Sequence, residues 1–124
     1  MIEILTLVLL SLQSLAPVAE GDASYYTVKS SGSQTASGER LRDWAYTCAM
    51  PGGTFGDHYL VVAENGRAVV CKLNDRGPHV EGRVVDLSKA AMRALDAKAG
   101  LVPVKVYHLG KKSHLKPGPV RIKG

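Results

Sequence analysis

Aromatic residues are scarce in this chain, at 6% of the sequence with one Trp and one Phe. A core so short of rings has to be built from Val, Leu and Ala. No aromatic residues are interleaved with the basic ones and no nucleic-acid motif is present, so a nucleic-acid partner ranks last despite a net charge of +5. Cysteine is nearly absent too: Cys48 and Cys71 are the only two, and their spacing does not fit a zinc site. No apolar run is long enough to span a membrane comfortably. The longest, residues 2–15, has the length of a signal-peptide apolar region. No Cys follows that run, which argues against a lipid-anchored lipoprotein.

What is present fits one compact domain. The chain has 124 residues, 45% of them apolar, with 13 Gly and 6 Pro, a turn-rich composition expected of a small β protein. Residues 1–22 read as a leader that directs export to the periplasm or cell envelope, with an uncleaved anchor or a buried N-terminal helix as alternatives. Glu3 stands where a signal peptide would carry a basic residue. Residues 23–110 read as the folded domain. From Lys111 onward, Lys111, Lys112, Lys116, Arg121 and Lys123 come with no acidic residue, so residues 111–124 read as a solvated basic tail. Attraction to a polyanion such as a wall polymer or anionic lipid is the functional alternative. An oxidising compartment favours a Cys48–Cys71 disulfide, and two free buried thiols remain the other reading. A bridge closing that loop would contribute ~3 kcal/mol in the chain-entropy model.

The local pattern is mainly β. Residues 23–28, 47–50, 83–86 and 102–109 read as strands, and residues 87–98 as a helix with Ala91, Met92 and Leu95 inward, capped by Asp86 or Ser88 and closed by Gly100. Residues 59–63 and 68–72 flank Glu64-Asn65-Gly66-Arg67, and Asn-Gly predicts a two-residue hairpin turn with Val62 opposite Val69 and Leu60 opposite Cys71. The order implies a small closed barrel with one inserted helix. The second hairpin strand runs into Asn74-Asp75-Arg76-Gly77-Pro78. Alternation puts Val69, Cys71, Leu73 and Asp75 on one face, so Asp75 falls at the rim of the core. Partial desolvation there favours the protonated carboxyl that a general acid needs. Ordinary turn chemistry, with the carboxylate bonding its own backbone, is the alternative.

Five segments then occur in order: Ala23-Ser24-Tyr25-Tyr26, Thr35-Ala36-Ser37-Gly38-Glu39, Asn65-Gly66-Arg67, Asn74-Asp75-Arg76-Gly77-Pro78, and Gly82-Arg83-Val84-Val85-Asp86-Leu87-Ser88. Their succession resembles the RlpA-like (rare lipoprotein A-like) double-psi β-barrel family. The resemblance implies a mainly β fold, a six-stranded double-psi barrel with one short inserted helix, related to expansin and barwin barrels. It also implies endolytic lytic transglycosylase activity on peptidoglycan glycan strands. In that chemistry one carboxyl protonates the glycosidic oxygen between N-acetylmuramic acid and N-acetylglucosamine, then accepts the proton of the muramic 6-hydroxyl as an anhydro ring closes. It needs no metal or other cofactor, and a monomer suffices. Residue by residue, the resemblance makes Asp75 the acid/base and Glu39 a second functional carboxylate that orients substrate, stabilises positive charge or supports Asp75. Tyr26, Arg76 and His79 become groove-lining, substrate-binding candidates. The chain departs from the family pattern at Met50, where the family has His, at Arg42, where it has Asp, and at Thr27, where it has Gly. Met50 and Arg42 motivate an alternative: an expansin-like module that binds or loosens wall polymer without cleaving it. A barwin-like secreted interaction protein is a third class.

Overall fold

The computed structural model describes residues 16–111 and 113–121. Most of the expected leader lies outside the described residues. The elements in chain order are β1 (Ala19–Tyr25), α1 (Val28–Ser31), β2 (Thr47–Ala49), β3 (His58–Ala63), β4 (Arg67–Asp75), β5 (Arg83–Leu87), α2 (Lys89–Leu95), β6 (Val102–Gly110) and β7 (Gly118–Arg121). Six strands form a ring in the order β2-β5-β1-β6-β3-β4, closed by a β2–β4 pairing, with β7 added outside on β4. No helix among the described residues is long and apolar enough to cross a membrane.

Two of the ring's joints are parallel, β1 with β5 and β2 with β4, and the rest are antiparallel. Inside it lie Ala23, Cys48, Tyr59, Val61, Val69, Cys71, Leu73, Val85, Leu87 and Val106, and α2 plugs one end with Ala91, Met92 and Leu95. Full burial of side chains such as Leu73 or Leu87 stabilises the fold by roughly 1.5–3 kcal/mol each. The inward stripe of α2 is the expected one, but the helix is shorter than the sequence suggests. Ser88 caps it by accepting from the Ala91 N–H, and Asp96, not Gly100, ends it.

Four expectations are corrected. The first strand begins at Ala19, so residues 19–22, assigned to the leader, belong to the barrel and pair with β6. The hairpin is shifted by one residue: Tyr59 faces Cys71, Val61 faces Val69 and Leu60 faces Val70. The turn is the cause. A two-residue Asn-Gly turn of the hairpin type needs positive φ at Asn65, and among the described residues only glycines have it. Instead Gly66 (φ 87°) closes a three-residue loop by donating its N–H to the Ala63 carbonyl. Asn65 is held by accepting from the Arg67 N–H and donating to the Leu95 carbonyl of α2. The shift sends Leu60 outward, to join Ala68 and Val70.

The basic tail is the third correction. Its residues 118–121 form β7, pairing with residues 67–70 of β4, and Leu115 and Val120 cover the outward cluster of Leu60, Ala68, Val70 and Tyr107. The fourth is the disulfide: Cys48 and Cys71 are both free and buried. Cys48 is in register with Leu73, so Cys71 is its diagonal neighbour. A diagonal offset is about 7–8 Å, beyond the usual 4.4–6.8 Å between the Cα atoms of a disulfide. Burial and the adjacent Cys71 push the Cys48 thiol up.

Candidate active site

β4 delivers Asp75 half-buried where the strand ends, after core residues Val69, Cys71 and Leu73, but not by unbroken alternation: the β2–β4 register shifts between Cys48 and Ala49, so Asp75 pairs with Ala49. The Asp75 carboxyl is held from three directions. Oδ1 accepts the Ala36 N–H and the Arg76 N–H, both at 2.9 Å, and Oδ2 accepts the Tyr26 hydroxyl at 3.4 Å. The Arg76 bond is the local turn contact expected of an Asp here. The other two come from residues 39 and 49 positions away. Oδ2 is therefore the oxygen left with free acceptor capacity. Tyr26 is half-buried, and burial, aided by the nearby charges of Asp75 and Asp86, pushes its hydroxyl well above the usual range, so it stays a donor.

The Ala36 amide is brought in by a compact loop. Gln34 bridges Arg40, Gly38 (φ 91°) donates to the Thr35 carbonyl, and the Ser37 N–H donates to the Asn74 carbonyl. Gly is required at that positive φ. The same loop carries Glu39 at the surface, where Oε2 accepts from Lys72 Nζ at 2.6 Å. That bond holds the Glu39 carboxyl below its ordinary range despite partial desolvation. Glu39 is thus a fixed negative charge beside the strand of Asp75, suited to orienting substrate or stabilising positive charge and unsuited to donating a proton.

Arg76 sits elsewhere than in a free groove wall. Its guanidinium donates to the carbonyls of Gly52 and Gly53 at 2.7 and 2.8 Å and lies 4.2 Å from the Phe55 ring centroid. It clamps the loop between β2 and β3. His79 is exposed on the β4–β5 loop, and none of the described residues bonds its side chain. Met50 is buried on the wall of a cleft of ≈ 550 Å³ that it shares with Val84, Tyr59 and His108.

Sequence reasoning missed Asp86, which it offered as a helix cap. Ser88 takes that role, and Asp86 instead stands in a row of registered residues across four strands: Ser24, Asp86, Ala49 and Asp75. Ser24 Oγ donates to Asp86 Oδ1 at 3.2 Å. Desolvation pushes the Asp86 carboxyl up, outweighing the Ser24 bond and Arg83, and the charge of Asp75 adds to the rise. The signal available in the sequence was phase: between inward Val85 and Leu87, Asp86 had to face the other side. The row offers two carboxyls of unlike environment, an arrangement suited to acid–base work.

Residues 18–106 match the family model described as "Lytic transglycolase". The chain is 42% identical over 101 residues to a Treponema pallidum protein named "Probable endolytic peptidoglycan transglycosylase RlpA", covering 78% of this chain and 31% of that one. It is 40% identical over 91 residues to the Pasteurella multocida "Endolytic peptidoglycan transglycosylase RlpA", covering 73% and 30%. The chain thus spans about a third of the length of these curated relatives. Among solved structures, the expansin of Clavibacter michiganensis superposes with a TM-score of 0.57 at 22% identity, over 76% of this chain and 51% of that one, a likeness of fold.

Proposed function

The chain belongs to the RlpA-like lytic transglycolase family, and from that premise we propose that it is an endolytic peptidoglycan transglycosylase of the cell envelope. Asp75 Oδ2 donates a proton to the glycosidic oxygen, and the bond from that oxygen to C1 of the muramic residue breaks. The 6-hydroxyl of the same sugar attacks C1, and its proton passes to the Asp75 carboxylate, restoring the acid. No water adds, so one carboxyl serves both halves of the reaction. The Ala36 and Arg76 amides fix Oδ1 so that Oδ2 faces the linkage. Glu39 supplies negative charge as the sugar becomes cationic, and Asp86, whose carboxyl burial pushes up, stands in the same row. In this reading the polymer is the partner, the protein acts as a monomer, and export brings it to its substrate.

The observation that carries the reading is the long-range fixation of Asp75 by Ala36 and Tyr26, which turn chemistry does not require. Purified protein incubated with glycan strands stripped of stem peptides releases fragments with anhydro ends, and Asp75→Asn releases none. Absence of such fragments from every peptidoglycan preparation removes the enzyme.

A second reading, binding without cleavage, is favoured by Met50: where the family pattern has His, an apolar side chain lines the cleft. A pure binder co-sediments with insoluble peptidoglycan and yields no soluble fragments.

A further inference from the structure

One outer patch of the barrel gathers buried polar atoms that nothing pairs. Among the described residues, three buried side-chain atoms lack a hydrogen-bond partner: Thr47 Oγ1, His58 Nδ1 and Asn74 Oδ1. Lys72 links them. It lies between core residues Cys71 and Leu73 and so points outward, in register with Thr47 on β2 and with His58 on β3. Asn74 is two residues further along the same strand. An unpaired buried polar atom costs stability. Gathering such atoms around one lysine does nothing for the fold, and polar groups kept at that cost mark functional ground.

The Lys72 side chain is committed to Glu39. Its Nζ donates to Glu39 Oε2 at 2.6 Å, with the two side chains 34% and 48% exposed. A pair that open to water adds little to stability. Its effect falls instead on the loop that bears Glu39. That loop is tied to β4 at three points: Glu39 on Lys72, the Ser37 N–H on the Asn74 carbonyl, and the Ala36 N–H on Asp75 Oδ1. Among the described residues no other cation pairs with Glu39. The Lys72 bond chiefly holds the Glu39 carboxyl below its ordinary range against desolvation, and Asn74 adds to it.

Resting on the proposed reaction, we propose that Lys72 is a positioning residue for the cut at Asp75: through Glu39 it keeps one negative charge fixed beside the acid while the sugar turns cationic. Lys72 itself touches no reacting atom. A charge already in place stabilises the cationic sugar without reorganising first. Released from Lys72, the Glu39 carboxylate swings in water on an exposed side chain and loses that advantage. Arg at this position can still hold a carboxylate. Met keeps the length of the side chain but has no donor to offer.

The test uses the full chain and pairs a titration with kinetics. Followed by NMR of the side-chain carboxyl, Lys72→Met moves the Glu39 midpoint upward, and Lys72→Arg leaves it low. On peptide-free glycan strands, Lys72→Met is expected to lower kcat about tenfold with KM unchanged, and Lys72→Arg to recover most of the loss. Added to Glu39→Ala, Lys72→Met costs nothing further, because its effect runs through Glu39. A lysine that only supports the strand would lower the melting point and multiply with Glu39→Ala, and one that touches the sugar would raise KM. Either result overturns the proposal, as does a Glu39 midpoint that Lys72→Met leaves in place. A parent that releases no anhydro fragments sinks the reaction instead, and the midpoint alone then decides whether Lys72 governs Glu39.

Discussion

Asp75 and Asp86 stand on opposite sides of one small residue: Ala49 of β2 is in register with Asp75 on β4 and with Asp86 on β5. Two carboxyls on strands that share a neighbour repel each other when both are charged. The charge on Asp75 duly adds to the upward push that burial exerts on Asp86.

Asp86→Asn is expected to stabilise the fold at neutral pH. The folded Asp86 carboxyl is raised above its ordinary 3.8. Its contribution is therefore complete below that value and is lost as pH rises through the folded value. Asn carries no charge to desolvate and still offers an oxygen to Ser24. Thermal melts should place the variant above the parent at pH 7 and level with it near about pH 3. A variant that melts lower at pH 7 contradicts the burial argument.

Tyr26→Phe removes the one side-chain donor on Asp75 Oδ2. Losing a hydrogen bond to a charged group is worth about 1.5–3 kcal/mol, so roughly a ten- to hundredfold fall in kcat on glycan strands is expected. KM should change little, because the bond serves the acid and not the sugar. A fall in KM-limited binding with kcat intact would reassign Tyr26 to substrate contact.

Gly53→Ala should destabilise the protein by about 2 kcal/mol or more, because strain at positive φ adds to a clash in the core. Its φ is 91°, and the new Cβ would come within 2.5 Å of the Tyr59 hydroxyl and 2.8 Å of a Leu73 methyl. Gly52→Ala is the control, since nothing lies within 4 Å of its Cβ. Urea unfolding of the two variants separates them, and equal midpoints would refute the contact.

Cys48 and Cys71 should resist thiol reagents in the native protein and react fully once it unfolds, as both are 0% exposed. Mass spectrometry without reductant checks this: no adduct in buffer, two in denaturant. Failure to label in denaturant would mean that the two sulfurs are bonded.

Much of this could be read from the chain. That Val69, Cys71 and Leu73 face the core followed from strand alternation, and the inward stripe of α2 from helical spacing; the register shift that pairs Asp75 with Ala49 did not. What alternation cannot give is the register between strands. The hairpin slipped by one residue because Asn65 spends its side chain on Arg67 and on the Leu95 carbonyl, a contact with a helix thirty residues on. Asp86 was hidden for a similar reason, since its meaning comes from Ala49 and Asp75, which meet it only when the ring closes. The tail misled through its charge: its lysines concealed Leu115 and Val120, which cover the outward side of the hairpin.

β4 is shared along its length, with β7 on residues 67–70 and β2 on residues 72–75. The last described strand is thus sewn to the same backbone that ends in Asp75, the proposed acid. Pulling, trimming or tagging that end loosens the root of the strand whose tip must stay still, so C-terminal truncation should blunt turnover before it unfolds the barrel.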